Sequence, residues 1–240
     1  MHDAECCATA PLGATWLSFR EYRLDLAADL PIRSWPATRS ASSKSWAAPG
    51  YNPRDSEVFM AHDELLQIYT PAGVPTGTFK QRGEVHRDGD WHGTVHLWVM
   101  NSSAELLFQR RSDSAELHPG LWDVSAAGHI VDDESPERSL EREALEELGI
   151  AIDAGDARWL FTLQTQMHTE HLHERVFQHI YLINKDIKTC ELKPQRAEVA
   201  AVQWHRYALL GSLLEDSSGF VPRLDEYARL LDYLNNGGLP

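Results

Sequence analysis

The apolar positions of this chain fall into short blocks whose spacing shifts between two residues and three to four. From about Ser56, ELLQIYT (64–70), PAGVPTG and TFKQRGEVH (78–86) read as a strand, a Pro/Gly turn and a returning strand. TVHLWVM (94–100) and ELLFQRR (105–111) flank Asn101–Ala104 as the arms of a hairpin. LWDVSAA (121–127), RWLFTLQTQM (158–167), VFQHIYLI (176–183) and VAAVQW (199–204) supply four more strands. Helical periodicity runs over 136–148 and over 222–234, where Leu224, Tyr227, Leu230, Leu231 and Leu234 recur at three- and four-residue steps. Strands with one interposed helix and one closing helix predict an α/β fold, helices layered on both sides of a mixed β-sheet.

Residues 1–56 follow another pattern. The stretch SWPATRSASSKSWAAPGYNPR, from Ser34, is rich in Ser, Ala and Pro, holds no acid and keeps no period. It predicts a loosely ordered extension or linker, with residues 57–240 as the folded domain. The same composition suits an organelle-targeting segment, but Asp3 and Glu5 stand where such segments avoid acids. Cytoplasm is the expected compartment.

Composition narrows the functional classes. Of 240 residues, 42% are apolar and 24% charged, which is enough for a real core and excludes wholesale disorder. No run approaches the ~18 apolar residues of a membrane span, which predicts a soluble chain. Three cysteines (Cys6, Cys7 and Cys190) are too few for a disulfide framework or a zinc site built on CxxC pairs. The net charge is -14, and because residues 1–56 carry six basic and six acidic side chains, all of it falls on 57–240. Such a surface repels a nucleic-acid backbone, so a nucleic-acid polymer is not the expected partner. A phosphate ligand would need cations supplied at its site, which points to metal ions.

The chemistry concentrates in GHIVDDESPERSLEREALEELGI, Gly128 to Ile150. Ser135 is placed to cap the helix, Pro136 suits its first position, and Gly149 is placed to end it. Glu143, Glu146 and Glu147 stand at i, i+3 and i+4 and share one face, where like charges repel by a few tenths of a kcal/mol per pair, roughly. Only Arg142, four residues before Glu146, relieves that crowding locally. Clustered carboxylates can form a solvated acidic face, or they can hold Mg²⁺, a hard cation that wants oxygen ligands. The spacing decides. The segment fits G-x5-E-x7-R-E-U-x-E-E-x-G-U through Gly128, Glu134, Arg142, Glu143, Glu146, Glu147, Gly149 and Ile150, where U is an apolar residue and only Ala144 is a weak choice. Seven fixed identities match by chance on the order of once in 10⁸ start positions or fewer.

This segment resembles the Nudix box, and residues 60–235 resemble a Nudix hydrolase. The resemblance implies an α/β/α sandwich and hydrolysis of a diphosphate bond in a small molecule by water attack at phosphorus, with Mg²⁺ or Mn²⁺ as cofactor. It implies metal ligation by Glu143, Glu146, Glu147 and the Gly128 carbonyl, and catalytic roles for Glu143, Glu146 and Arg142, the arginine orienting a glutamate. A metal-bound water is a better nucleophile, and the metal neutralises charge on the phosphoryl oxygens.

GEVHRDGDWHGTVHLWVM (83–100), ELLFQRR and HPGLWDVSAAGHI (118–130) are similar to the branch containing type I isopentenyl diphosphate isomerases and their hydrolase relatives. In the isomerases, histidines at places comparable to His86, His92 and His129 form a second metal site, and the resemblance makes these three candidate substrate-binding residues here. The isomerases also carry a catalytic cysteine just before the box glycine, where this chain has Ala127. An alanine methyl cannot deliver or remove a proton. The acidic pair expected on a later strand is likewise replaced, with Arg175 and Val176 beside Glu174. Hydrolysis of a nucleoside diphosphate derivative or a prenyl diphosphate is therefore expected. Isomerisation is one alternative, and a non-catalytic ligand-binding module is an alternative of another class.

Further candidates come from position alone. Arg110 and Arg111 end a strand on the expected substrate side and could meet phosphate as a fork. QMHTEHLHER, with His168, His171 and His173, predicts a polar solvent loop in which His168, Glu170 or Glu174 is a candidate general base. Glu198 is a further candidate acid, and Trp122 is expected to pack rather than to stack on a base.

Overall fold

The computed structural model describes residues 64–168 and 173–238. The expected extension at 1–56 lies outside the described residues. One nine-stranded sheet organises the rest, with β3 (Trp91–Met100) at its centre. β3 pairs in parallel with β8 (His173–Asn184) along its whole length, and antiparallel with β6 (Ala126–His129) on the other side. β1 (Leu65–Tyr69) and β2 (Pro75–Gln81) form the expected hairpin and meet β3 at Trp91. β4 (Glu105–Arg111) leaves the far end of β3 and pairs with β5 (Trp122–Asp123) and β9 (Val199–Arg206), while β7 (Arg158–His168) flanks β8.

The sheet separates two apolar layers. On one face Val95, Leu97, Val99 and Tyr181 bury against Leu140, Ala144 and Leu148 of α2 (Pro136–Leu148). On the other, Trp98, Met100, Phe108 and Ile180 bury against α3 (Leu209–Glu215) and α4 (Leu224–Tyr233). The architecture is the expected α/β/α sandwich around a mixed sheet. The caps of α2 are also as read from the sequence. Ser135 Oγ accepts the Arg138 N–H at 3.3 Å, Pro136 opens the helix, and Gly149 closes it at φ 70°, the left-handed region that glycine enters without strain. Among the described residues no helix is long and apolar enough to cross a membrane.

Four expectations need correction. The strand expected through His86 stops at Gln81. Residues Arg82–Asp88 form helix α1, which buries Val85 and His86 on one side and ends on Gly89, whose N–H bonds the Val85 carbonyl. The strand expected at 121–127 is two strands on different partners. Between them Ser125 does the work of a ladder rung, its Oγ donating to the Leu107 carbonyl at 2.6 Å and accepting the Val99 N–H at 2.9 Å. Helix α3 was not expected, because LLGSLLE is short and carries Gly211. Lastly, His168 and His173 are not in a solvent loop. They pair across the end of the β7–β8 hairpin with rings stacked at 4.0 Å, whereas Glu170 and His171 lie outside the described residues.

Candidate metal and catalytic site

α2 presents its acids to β6, and the fit between the two is tight. A methyl group on Gly128 would collide with the Glu143 carboxylate, so the absence of a side chain at 128 is what lets that carboxylate lie against the strand. Glu147 is fully buried and held by two donors on one oxygen, Gln109 Nε2 at 3.0 Å and the Ala127 N–H at 2.9 Å. Burial lifts the Glu143 carboxyl to about 7 against the pull of Arg142, and burial together with Glu143 holds Glu147 well above the ordinary carboxylate range. Two buried acids this close need a cation or a proton.

Arg142 ties the segment together. Its guanidinium reaches Glu134 (3.2 Å), Glu143 (2.7 Å), Glu146 (3.0 Å) and the His129 carbonyl (2.8 Å). The sequence-predicted partner Glu146 is thus found, but its side chain is 48% exposed and stands outside the main cavity. Glu143, Glu147 and Gly128 line that cavity, a cleft of about 610 Å³.

The three predicted histidines converge. His86, His92 and His129 have ring centroids 5.2–5.4 Å apart, and one ligand atom of each lies within 4.8 Å of the others and of Glu174. Each presents a buried Nε2 with no hydrogen-bond partner. His92 Nδ1 lies 3.1 Å from the Asp90 carbonyl and His129 Nδ1 lies 3.3 Å from the Glu64 carboxylate, contacts that direct the Nε2 lone pairs toward one another. Burial lowers His86 to about 4 and holds His92 well below its usual range, favouring the neutral, ligating form. Three orphaned imidazole nitrogens and a carboxylate fit a divalent cation such as Zn²⁺ or Mn²⁺. Glu174, a candidate general base in the sequence, is placed with these histidines.

The two arginines separate. Arg111 lines the cavity, with its Nε on the Leu117 carbonyl at 2.9 Å and its Nη1 3.5 Å from Asp123. Arg110 turns away to the Gly120 carbonyl and Asp113, so no phosphate fork forms. Arg82, which the sequence did not single out, stands in the cavity instead, close to Glu64 and Glu116. Glu198 lies at the solvent-open rim of the cavity, its carboxyl raised by partial burial and by Glu146 and Glu64. Trp122 packs edge-on to His205 at 6.1 Å, as expected.

One wall went unread in the sequence. Arg223, just before α4, makes a double contact with Asp123 at 2.6 and 3.0 Å. His96 is held between Glu226 (2.9 Å) and Arg223 (3.4 Å), and Trp98 donates to Glu226 at 2.8 Å. Burial alone would raise Asp123; Arg223 and Arg111 hold it well below the usual range. The one available signal was an acid, Glu226, set among the apolar positions of a helix.

Comparisons with known proteins show the family. The NUDIX domain family matches residues 90–224. Nudix hydrolase 3 of Arabidopsis thaliana is 34% identical over 180 residues, 72% of this chain but only 23% of that protein. An isopentenyl-diphosphate Delta-isomerase of Paenarthrobacter aurescens is 28% identical over 178 residues, covering 70% of this chain and 91% of the isomerase. The crystal structure of DR0079 from Deinococcus radiodurans superposes with a TM-score of 0.56 at 24% identity, over 69% of this chain and 98% of that one, and supports the fold alone. The chain belongs to the Nudix hydrolase family, in the branch related to isopentenyl diphosphate isomerases.

Proposed function

We propose that this chain hydrolyses a diphosphate bond in a small molecule, by attack of water at phosphorus, with Mg²⁺ or Mn²⁺ held by Glu143, Glu147, Glu146 and the Gly128 carbonyl. The observation that carries the reading is buried Glu143 packed against a side-chain-free Gly128, with buried Glu147 on the neighbouring Ala127 N–H, on the wall of a cavity that also holds Arg82 and Arg111. Bound there, the cation would neutralise phosphoryl charge and make water more acidic. The chain's own groups do the rest. Arg142 fixes the orientation of Glu143 and Glu146, while Gln109 and the Ala127 N–H hold Glu147 against rotation. Arg111 and Arg82 face the polyanion, and a box carboxylate or Glu198 takes the water's proton. His86, His92, His129 and Glu174 would hold a second cation.

Against isomerisation stands the cavity floor at Ala127. Its cross-strand neighbour is His96, whose two ring nitrogens are already engaged by Glu226 and Arg223. Position 127 itself therefore offers no proton donor.

The test is phosphate and pyrophosphate release from nucleotide-derived and prenyl diphosphates with Mg²⁺ or Mn²⁺, and with isopentenyl diphosphate checked for its isomer. Glu147→Gln and Glu146→Gln run in parallel. Metal-dependent release that falls ~10²-fold or more in the variants is expected. Formation of the isomer would replace the reading with isomerisation, and no turnover by a folded, metal-binding sample would replace it with a binding module.

A further inference from the structure

Two guanidiniums share the Asp123 carboxylate, on unequal terms. Asp123 lies opposite Gln109 in the β4–β5 register, and Arg111 stands two residues beyond Gln109 on the same strand, so the three share one face of the sheet. Arg111, Asp123 and Arg223 all line the cavity. Gln109 bonds Glu147, and the Arg111 charge reaches that same carboxyl, which it pulls down against burial. Arg111 therefore stands beside the carboxylates that the hydrolase reading assigns to the cation, where a diphosphate would arrive.

Arg223 takes both oxygens of Asp123, Nε on Oδ1 at 2.6 Å and Nη2 on Oδ2 at 3.0 Å, while its Nη1 lies 3.4 Å from His96 Nε2. The Val124 N–H fills a further place on Oδ1 at 2.9 Å. Arg111 reaches Oδ2 only with Nη1, at 3.5 Å, the limit of a hydrogen bond. Its firm bond runs from Nε to the Leu117 carbonyl, and its Nη2 makes no hydrogen bond among the described residues. The Arg111 side chain is 26% exposed, against 1% for Asp123. Arg223 is thus spent on the protein, and Arg111 keeps N–H groups for the cavity. That division depends on Arg223. Asp123 is buried and charged, and such a carboxylate needs a cation in contact. Without Arg223 the nearest is Arg111, and drawing it in would take from the site the fork that a phosphate would receive.

We infer that Arg223 is a positioning residue for the diphosphate site: by saturating Asp123 it keeps Arg111 from collapsing onto that carboxylate and leaves the Arg111 guanidinium open to the substrate. This inference rests on the hydrolase reading above and deepens it. Arg223 acts from the segment leading into α4, 100 residues along the chain from the carboxylate it satisfies.

The experiment measures KM and kcat for the best-hydrolysed diphosphate of the panel above. The proteins are wild type, Arg223→Met, Arg111→Met, the Arg111→Met/Arg223→Met double variant and the Asp123→Asn/Arg223→Met double variant. Arg223→Met should raise KM about 10-fold, the worth of one charge-assisted hydrogen bond, with kcat changed less than about 3-fold. Arg111→Met should raise KM at least as much, and adding Arg223→Met to it should do no more, because Arg223 acts only through Arg111. Asp123→Asn removes the charge that draws Arg111 in, so it should return the KM of Arg223→Met to within about 3-fold of wild type. A merely structural role would move Tm without producing this pattern. An unchanged KM in Arg223→Met, KM losses that multiply in the arginine double variant, or no rescue by Asp123→Asn would overturn the inference. If Arg223→Met does not fold, Arg223→Lys, which cannot grip both oxygens, should show a smaller KM rise that vanishes in the Arg111→Met background. A rise that is absent, or that persists there, overturns the inference. If nothing turns over, hydrolysis itself fails, and calorimetric titration with inorganic pyrophosphate and Mn²⁺ decides the inference separately. The same pattern in Kd upholds it, whereas no binding, or binding indifferent to residue 223, overturns it.

Discussion

Gly128 sets the closest tolerance in the site. Adding a single methyl there forces the Glu143 carboxylate off the strand, and because Glu143 and Glu146 share Arg142, the displacement spreads to both. Gly128→Ala is expected to cost about 1–3 kcal/mol by overpacking. Mn²⁺ is expected to raise the Tm of the wild type, and Gly128→Ala should shrink that rise to what the histidine cluster supplies, which a thermal melt with and without metal would check. At this scale the sequence was legible where chemistry repeats at helical spacing: Glu143, Glu146 and Glu147 share a face because of 3.6-residue geometry. It was also legible for His86, His92 and His129, through a resemblance. It was not legible for Arg110 against Arg111. Alternation says only that neighbours on a strand face opposite ways, and the loop at 112–121 decides which one meets the cavity.

Among the elements, α4 is tied to β5 by charge as well as by packing. Arg223 and Asp123 lie 100 residues apart and meet in a doubly bonded, desolvated pair. Removing one partner leaves the other charged and buried. Asp123→Ala should therefore lose about 3–5 kcal/mol in urea unfolding, and the Asp123→Ala/Arg223→Met double variant should lose less than Asp123→Ala alone. Recovery would be absent if the pair were a surface contact. The elements the sequence misjudged are those whose local pattern was overruled by such distant partners. RGEVHRD alternates enough to pass for strand, yet from a helix Val85 faces the core and His86 the histidine cluster. The 121–127 segment carries strand residues throughout and is broken by Ser125, which bonds two other strands.

The α/β/α layering was legible in the whole molecule because both helical stripes and the strand alternation point to the same sheet. The whole molecule also sets how metal and protons compete. Glu147 has a folded pKa raised above its unfolded value, so its favourable contribution is complete below about 4.5. It is lost as pH rises through the folded value. In metal-free protein, Glu147→Gln should therefore raise Tm, and the gain should be larger at pH 8 than at pH 5. Added Mn²⁺ should stabilise wild type at pH 8 more than it stabilises the variant, which keeps only the histidine cluster as a cation site. His86 and His179, both lowered to about 4 by burial, run the other way: each favours the folded state above about 6.5 and loses that contribution as pH falls toward 4. The central strand carries one further consequence. On β3 the residues at 93, 95, 97 and 99 serve the fold, where even a methyl on Gly93 would press on Ile130, while Thr94 and His96 line the cavity and His92 joins the histidine cluster. Over residues 92–97 the site and the core are thus written on alternate positions, so a change at 94 reaches the cavity without touching the layer packed on α2.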